Sequence, residues 1–342
     1  METVLVTGGN GFIGSNLVRR IVELGEWQVR VLVLQGTPEE FLDPVRDQIE
    51  IVYGDITRPE TLPPAVKGVS IIFHLAALVT DWGPKAKFLN VIYEGTKNVV
   101  DAAIAAGVRR FVQMSSLAVH GYMQYRNADE TTPRHNSKFY YGQAKNLAED
   151  YLGEVYQAGK IETVVVRPAW TIYGENDYAT IYQVLENIKL GRFGYISSGK
   201  ALCTHIYVQN LVDGIIHVGR HPDAPGETFI ISDATKSWRE FTELLAAGIG
   251  AQPPTLSTPY SVIAPIVWLW GLLWRLFRVK KSPLLTMYRI GIQRYDLDFS
   301  GAKITEKFGF QPRFTFEEGL QRTLDWYNSV STTPVKHPTK IK

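Results

Sequence analysis

A tyrosine and a lysine four residues apart offer the clearest chemistry in this sequence. They stand in the segment FYYGQAKNLAED, residues 139–150, which is rich in good helix formers and is predicted to be a helix. One face of that helix is formed by Tyr141, Ala144, Ala148 and Leu152. Residues four apart on a helix are stacked neighbours, so Tyr141, and not Tyr140, shares a face with Lys145.

This spacing predicts a general acid/base. A nearby ammonium favours the phenolate form of a phenol, so we expect Lys145 to lower the pKa of Tyr141 towards useful values. The alternative interpretation is an ordinary exposed tyrosine and lysine, a pair that is common on helix surfaces. Other parts of the chain have to decide between the two.

Three glycines close to the amino terminus form a second chemical motif. Gly8, Gly11 and Gly14 lie between an apolar, β-branched run and a stretch with apolar residues at helical spacing. Glycines at such a strand-to-helix turn let the backbone approach a pyrophosphate, and the helix N-terminus offers free N–H groups. The pattern predicts a dinucleotide site, and its alternative is a tight turn without a ligand.

Composition excludes several other classes of protein. The 342 residues carry a net charge of +2, which gives no support for nucleic-acid binding. The single cysteine, Cys203, excludes an internal disulfide and fits a reducing compartment. No metal-ligand spacing occurs, and His74 and His205 are interpreted as core or loop histidines. The amino terminus has no leader pattern, so we expect an unprocessed, cytoplasmic protein.

Apolar runs that alternate with helical patterns indicate the fold. Such an alternation predicts an α/β protein with a Rossmann-type, doubly wound parallel sheet and a smaller, mostly helical carboxyl-terminal cap. The predicted strands are VRVLVL, IEIVYGD, VSIIFHLAA, RRFVQMSS, ETVVVRPA and GETFIISD, after a first strand at TVLVT.

The same pattern divides the chain into regions. We expect residues 1–175 to form the cofactor-binding domain, with 206–235 returning to it. Residues 176–205 and 236–330 are assigned to the substrate-binding cap. The polar, proline-bearing end, 331–342, is predicted to be a disordered tail.

Three motifs in order, TGGNGFIG, MSSLAVHG and YGQAK, resemble the extended short-chain dehydrogenases/reductases over nearly the whole chain. The resemblance implies that Tyr141 and Lys145 are the catalytic pair. It places the catalytic serine at Ser116, 25 residues before Tyr141, with Ser115 as the weaker candidate. It also matches Asn90 to a helix asparagine that helps to hold a proton-relay water.

Within that family the chain looks most like the 3β-hydroxysteroid dehydrogenase and sterol-4α-carboxylate dehydrogenase branch. The resemblance implies an oxidoreductase that moves hydride between NAD(P) and a secondary alcohol or ketone of a hydrophobic, sterol-like or terpenoid substrate. The alternative is a nucleotide-sugar epimerase or dehydratase with tightly bound NAD. A non-catalytic dinucleotide-binding regulator is disfavoured because the serine, tyrosine and lysine are all present.

The cofactor is expected to be NAD or NADP. The second strand ends in Val33, Leu34 and Gln35, with neither the Asp that selects NAD nor an Arg that selects NADP. Asp55 is expected at the adenine edge, with Ile56 against the ring. The remaining expected cofactor contacts are Gly8, Gly11, Phe12, Ile13, Gly14, Ala76, Ala77, Tyr141, Lys145 and Pro168.

A tryptophan-rich apolar segment, residues 260–281, has no role in these motifs. Its twelve uncharged residues from Ile263 to Trp274 are too few for a membrane span of about 20 residues, and Pro265 is expected to interrupt a helix there. Two interpretations stay open: a peripheral membrane helix, or a cap helix packed on the sheet or at a dimer interface. Both favour a lipophilic substrate, and the resemblance suggests a homodimer.

Overall fold

The computed structural model describes residues 1–135, 138–277, 279 and 281–331 of the chain. Strands and helices alternate through its amino-terminal half. They are β1 (Thr3–Thr7), α1 (Phe12–Leu24), β2 (Gln28–Val33), β3 (Ile49–Tyr53), α2 (Pro63–Val66), β4 (Val69–His74), α3 (Lys85–Phe88), α4 (Gly95–Ala105), β5 (Arg110–Met114), β6 (Tyr125–Ala128), α5 (Tyr140–Gln157) and β7 (Glu162–Pro168).

Shorter strands and more helices follow in the second half of the chain. They are β8 (Thr171–Tyr173), α6 (Ile181–Lys189), β9 (Tyr195–Ile196), β10 (Leu202–Tyr207), α7 (Val208–Arg220), β11 (Thr228–Ile231), β12 (Ala234–Ser237), α8 (Trp238–Gly248), β13 (Ser257–Thr258), α9 (Tyr260–Leu276), α10 (Met287–Gly291), β14 (Leu297–Phe299), α11 (Ala302–Phe308) and α12 (Phe316–Ser331).

Seven parallel strands form the central sheet in the order β11-β7-β5-β4-β1-β2-β3. The direction of winding reverses between β1 and β4, and parallel α/β sheets bind their ligands at such a switch point. The predicted Rossmann-type fold is therefore confirmed. The return of the chain after residue 206 supplies β11, which lies at one edge of this sheet.

Side chains on the two faces of the sheet enter two separate apolar cores. Along β1, Val4 and Val6 pack on one face, and Leu5 packs on the other, as strand alternation requires. The first core is covered by α1 and α7, and the second by α4 and α5. Both faces of the sheet are thus shielded from water, which explains why the strands are continuous apolar runs.

The carboxyl-terminal region contains more sheet than its sequence pattern indicates. A second sheet joins β12, β10, β14 and β6, with β8 also paired to β10. These strands have three to six residues each, too few for a clear alternation pattern. Long-range pairing such as β14 with β6 therefore had no signal in the sequence.

Two local expectations need comment. Helix α9 continues through Pro265, so the prediction that this proline interrupts the helix is wrong. Pro265 is the sixth residue of α9, and its ring removes a single backbone donor there. At the carboxyl terminus, Ser331 is the last residue of α12, and residues 332–342 of the predicted disordered tail lie outside the described residues.

Candidate active site

The glycine turn brings the ends of β1 and β4 into direct backbone contact. Gly8 has a φ of +67°, and a Cβ atom there would lie 2.8 Å from the backbone nitrogen of Ala76. A Cβ atom on Gly14 would collide with the carbonyl of Gly8. A larger residue at Gly8 would therefore push away the chain after β4, and one at Gly14 would push α1 away from the turn. Steric crowding thus explains why both positions are glycine.

The N-terminus of α1 is available to an anion. Its N-cap residue is Gly11, which has no side chain to occupy the first N–H groups of the helix. Free N–H groups and the positive end of the helix dipole suit a pyrophosphate. The residues present thus fit the pyrophosphate of NAD(P), with Phe12 and Ile13 forming the first turn of the helix.

Asp55 and Ile56 lie after β3. One carboxylate oxygen of Asp55 accepts hydrogen bonds from the backbone and side chain of Thr57, at 2.8 and 2.7 Å. The Ile56 side chain is only 8% exposed and packs in the core beside Gly95. Asp55 is oriented by its own turn, and the contact of Ile56 with an adenine ring stays a prediction.

The turn after β2 is held by an asparagine from the glycine motif. Asn10 Nδ2 donates to Thr37 Oγ1 and to the carbonyl of Pro38, both at 2.8 Å. Leu34, the residue next to the end of β2, is 49% exposed. Neither a carboxylate nor a guanidinium follows the strand directly, so the turn contains no obvious group for choosing between a ribose hydroxyl and a ribose phosphate.

Tyr141, Lys145 and Ser116 meet beside the carboxyl ends of the central strands. Tyr141 and Lys145 come from successive turns of α5, and the Lys145 ammonium lies 5.9 Å from the Tyr141 ring centroid. Lys145 Nζ donates to the carbonyl of Met114, the last residue of β5, at 2.6 Å. Ser116 follows that strand, and its hydroxyl hydrogen-bonds with Tyr141.

Burial dominates the protonation of this group. It raises the pKa of the Tyr141 hydroxyl, as does Tyr288, while the hydrogen bond with Ser116 lowers it. The expectation that the pKa of Tyr141 is lowered is therefore wrong for the protein alone, because loss of water around the buried hydroxyl is the largest influence and raises that pKa. Burial also lowers the pKa of Lys145 to about 8, and Glu149 partly opposes that shift.

The two neighbouring residues that could be confused with the catalytic ones have other contacts. Tyr140 packs against Phe88, with ring centroids 6.2 Å apart. The Ser115 hydroxyl is buried and donates to Glu149. Ser116, in contrast, accepts a hydrogen bond from the backbone of Ala118 at 3.1 Å. These contacts agree with the choice of Tyr141 over Tyr140 and of Ser116 over Ser115.

A buried ion pair behind the site was missed by the sequence analysis. Glu149 receives two hydrogen bonds from Arg167, at 2.6 and 3.0 Å, in addition to the one from Ser115. Arg167 also contacts the ring of His120. Burial alone would raise the pKa of Glu149, but Arg167, Ser115 and then Arg134 lower it on balance. The available signal was the position of Glu149, four residues after Lys145 on the same helix face.

Asn90 is the one proposed catalytic residue for which no contact with the others is found. It lies in a π-helical segment, Leu89–Glu94, that leads into α4. Its side chain is exposed and makes no hydrogen bond with any residue that the structure describes. The wider π-helical turn alters which face each residue takes, so the role of Asn90 in holding water stays a prediction.

Four aromatic side chains pack together near Tyr141. Tyr122 is in ring contact with Phe139, Trp170 and Tyr288, at centroid distances of 5.0, 5.2 and 5.2 Å. Tyr288 comes from α10 in the carboxyl-terminal region, and it lies close enough to raise the pKa of Tyr141. The buried indole N–H of Trp170 has no hydrogen-bond partner among the described residues.

The histidines and the remaining expected contacts have ordinary positions. His74 is buried between the hydroxyls of Thr7 and Thr96, and burial lowers its pKa to about 3. His205 packs on Phe241, with ring centroids 4.2 Å apart. Ala77 packs in the same small cluster as Tyr141, and Pro168 ends β7. Over the described ranges, no three His, Cys, Asp or Glu side chains converge as a metal site would require.

Known proteins are similar to this chain in sequence. The family model described as "3-beta hydroxysteroid dehydrogenase/isomerase family" matches residues 5–259. A 3-beta-hydroxysteroid dehydrogenase from Mycolicibacterium neoaurum is 31% identical, and the match covers 97% of this chain and 93% of that protein. A decarboxylating sterol-4-alpha-carboxylate 3-dehydrogenase from Mus musculus is 27% identical, and the match covers 94% of this chain and 90% of that protein.

A solved structure with a cofactor has the same fold. It is DesIV, a dTDP-glucose 4,6-dehydratase from Streptomyces venezuelae with NAD bound. It aligns with a TM-score of 0.79 over 96% of this chain and 98% of its own, at 23% identity.

The buried ion pair generates a prediction about stability. We expect Glu149→Gln to lower the free energy of unfolding at pH 7 by about 3–5 kcal/mol, because Arg167 is left buried without its counter-charge. The pKa of Glu149 is lowered in the folded protein, so its stabilisation is present above the ordinary value of 4.5 and is lost as the pH falls below that value. The gap between the two proteins should therefore narrow in acid, as measured by urea unfolding.

Glu227→Gln is the matched control. Glu227 also pairs with two cations, Lys303 and Lys307, but it is about a third exposed. Its replacement should reduce stability by less than about 1 kcal/mol. Equal losses of stability in the two variants would show that burial does not make the Glu149 ion pair more stabilising than the exposed one.

Proposed function

Because the chain belongs to the 3-beta hydroxysteroid dehydrogenase/isomerase family and is an NAD(P)-dependent dehydrogenase of the extended short-chain type, we propose that it acts on a secondary alcohol or ketone of a lipophilic, sterol-like or terpenoid substrate. NAD(P), when bound, accepts or supplies the hydride at its nicotinamide ring. The observation that carries the choice of substrate class is the aromatic cluster beside Tyr141.

Each polar group of the site has a role in this proposal. The Tyr141 hydroxyl exchanges a proton with the substrate oxygen, and the Ser116 hydroxyl donates a hydrogen bond to the same oxygen. Lys145 holds its ammonium next to the tyrosine through the carbonyl of Met114, and a charge at that place favours the phenolate. Since burial raises the pKa of Tyr141, the tyrosine is suited to keep its proton until a substrate oxygen takes it.

The aromatic cluster supports an apolar ring system as substrate. Tyr122, Phe139, Trp170 and Tyr288 offer flat, apolar faces in mutual contact. A nucleotide sugar would instead need cationic partners for its two phosphates. The unpartnered N–H of Trp170 supports a substrate that carries a second oxygen, because a buried donor without an acceptor is unfavourable.

We also propose an assembly and a division of labour. Residues 1–175 and 206–235 hold the cofactor, and 176–205 and 236–330 contact the substrate, which agrees with the origin of Tyr288 in α10. The chain acts as a homodimer, which light scattering would test. Residues 260–281 contact a membrane peripherally, and among the described residues no helix is both long and apolar enough to span one.

Reduction of the nicotinamide tests the proposed reaction. Purified protein with NAD⁺ or NADP⁺ is given either 3β-hydroxysteroids or UDP- and dTDP-sugars, and the absorbance of the reduced cofactor is followed. We expect net reduction of NAD⁺ or NADP⁺ with the hydroxysteroids and none with the nucleotide sugars. Protein that carries tightly held NAD⁺, converts a nucleotide sugar and shows no net turnover of added cofactor would establish the epimerase or dehydratase alternative instead.

The first prediction about the reaction compares the two adjacent tyrosines. Tyr141→Phe should lower kcat by about 10²–10⁴-fold, the usual value of general acid/base catalysis, with the cofactor Kd nearly unchanged. Tyr140→Phe should have little effect, because Tyr140 packs on Phe88 rather than facing Lys145. If both variants lose kcat equally, the assignment to Tyr141 is wrong.

A second prediction concerns the choice of cofactor. The turn at residues 33–35 has no side chain that would reject the ribose phosphate of NADP or demand the free hydroxyl of NAD. The ratio of kcat/KM for the two cofactors should therefore be modest. A ratio on the order of 10³ or more would mean that another group reads the ribose.

A further inference from the structure

Helix α9 is apolar on nearly its whole circumference. One stripe faces the protein, and Val267 in that stripe is the only fully buried residue of the helix. The other faces are also apolar, and they are exposed by 39–71%, which concerns Val262, Ile266, Trp268, Leu269, Trp270, Leu272, Leu273 and Leu276. Phe277, directly after the helix, is 72% exposed.

Such an exposed apolar surface is expected to be in contact with protein or lipid. A helix on the surface of a water-soluble domain normally presents charged and polar side chains to the solvent, and an all-apolar helix is buried in protein or lipid. The exposed apolar residues of α9 adjoin one another over 17 residues, unlike the scattered single apolar residues of ordinary surfaces. The part of the chain that the structure describes contains nothing that covers them.

The charge of the residues around the helix indicates what binds to this apolar surface. From residue 244 to 295 the chain has no Asp or Glu. It has six basic residues there: Arg275, Arg278, Lys280, Lys281, Arg289 and Arg294. Four of them follow the last tryptophan within seven residues, although Arg278 and Lys280 lie outside the described residues.

This local excess contrasts with the net charge of +2 for the whole chain. Basic groups beside exposed tryptophans are typical of helices that lie in the headgroup region of an anionic bilayer. Arg289 is already paired with Asp81, and an anionic headgroup layer would supply negative charge to the other basic residues.

The helix is also connected to the candidate active site. Its buried stripe packs on α10 through Val267 and Ile290, and α10 carries Tyr288 of the aromatic cluster. At the other side, the Arg275 guanidinium lies 5.2 Å from the ring centroid of Trp82. Asp81 beside that tryptophan forms an ion pair with Arg289 of α10 at 3.0 Å. Helix α9 therefore contacts α10, which carries one member of the cluster, and the segment around Trp82.

We infer that α9 lies in the headgroup region of an anionic lipid bilayer and presents the aromatic cluster to the lipid, so that a lipophilic substrate passes from the bilayer to Tyr141 without crossing water. The route for the substrate rests on the proposed function. The docking of α9 does not, because it is argued from exposure and charge alone.

Cosedimentation with vesicles of phosphatidylserine and phosphatidylcholine tests the docking. The intact protein should sediment with them at low salt and less at high salt, because screening weakens the attraction of the basic groups while the apolar contact persists. Trp268→Ser with Leu272→Ser removes two side chains that are exposed by 59% and 47%, so the fold should survive. That double variant should bind at least about tenfold more weakly.

Leu190→Ser with Leu244→Ser is the matched control. It removes apolar side chains that are exposed by 55% and 42%, one directly after α6 and one on α8, and it should bind vesicles like the unchanged protein. Absence of the intact, folded protein from the vesicle pellet at low salt overturns the inference, whatever the variants do. Equal vesicle binding by the two double variants overturns the inference as well. So does a change of the α9 double variant to a monomer without loss of vesicle binding.

A comparison of substrates tests the route. With a 3β-hydroxysteroid dissolved in the vesicles, the Trp268 and Leu272 double variant should lose rate, whereas with water-soluble cyclohexanol it should keep the rate of the unchanged protein. Equal loss on both substrates would contradict passage through lipid. If the intact protein binds vesicles but oxidises no hydroxysteroid, the proposed function fails and the docking stands.

Discussion

A buried carboxylate connects the elements that carry the proposed catalytic side chains. Glu149 of α5 accepts two hydrogen bonds from Arg167 of β7 and one from Ser115, the residue directly after β5. Lys145 and Tyr141 lie one and two turns earlier, respectively, on the same helix. Without this bond to two neighbouring strands, α5 could slide or rotate over the sheet, and the tyrosine would not keep its position beside Ser116. A charge pair inside the protein is expensive to desolvate, so its value here lies in fixing one arrangement.

The cofactor end of the site depends on a different constraint, the closeness of two backbones. Gly8 after β1 and Ala76 after β4 meet at the switch point, where no side chain fits between them. This contact lets the N-terminus of α1 face the crevice at the carboxyl ends of the strands. The site is thus assembled from two kinds of rigidity, steric at the glycine turn and electrostatic behind the tyrosine. The first lies in the segments directly after two strands, and the second joins a helix to a strand, which favours a fixed distance between cofactor and substrate.

Helix α9 departs from the pattern of the rest of the molecule. Elsewhere, charged groups that are buried have partners, and apolar side chains are mostly covered. In α9 a row of large apolar side chains faces outwards at the margin of the aromatic cluster. Local conflict with the general rules of folding is expected where function requires it. The amino-acid sequence left open whether this segment is buried in the protein or exposed on its surface, because an apolar helix in a core and one on a bilayer have similar composition.

The sequence by itself determined the parallel sheet and the glycine turn, and it predicted Tyr141 rather than Tyr140 as the general acid/base. These follow from strand runs, from the steric needs of a turn and from the four-residue period of a helix, which are all local. The tertiary structure decided what depends on distant residues: the partner of Glu149, the short strands β6 and β14, and the place of Tyr288 beside the catalytic tyrosine. It also decided the protonation of Tyr141, since a spacing shows a neighbouring charge but not the loss of water around it. Desolvation is a property of the whole packed site, and here it raises the pKa of Tyr141 more than the neighbouring Ser116 lowers it.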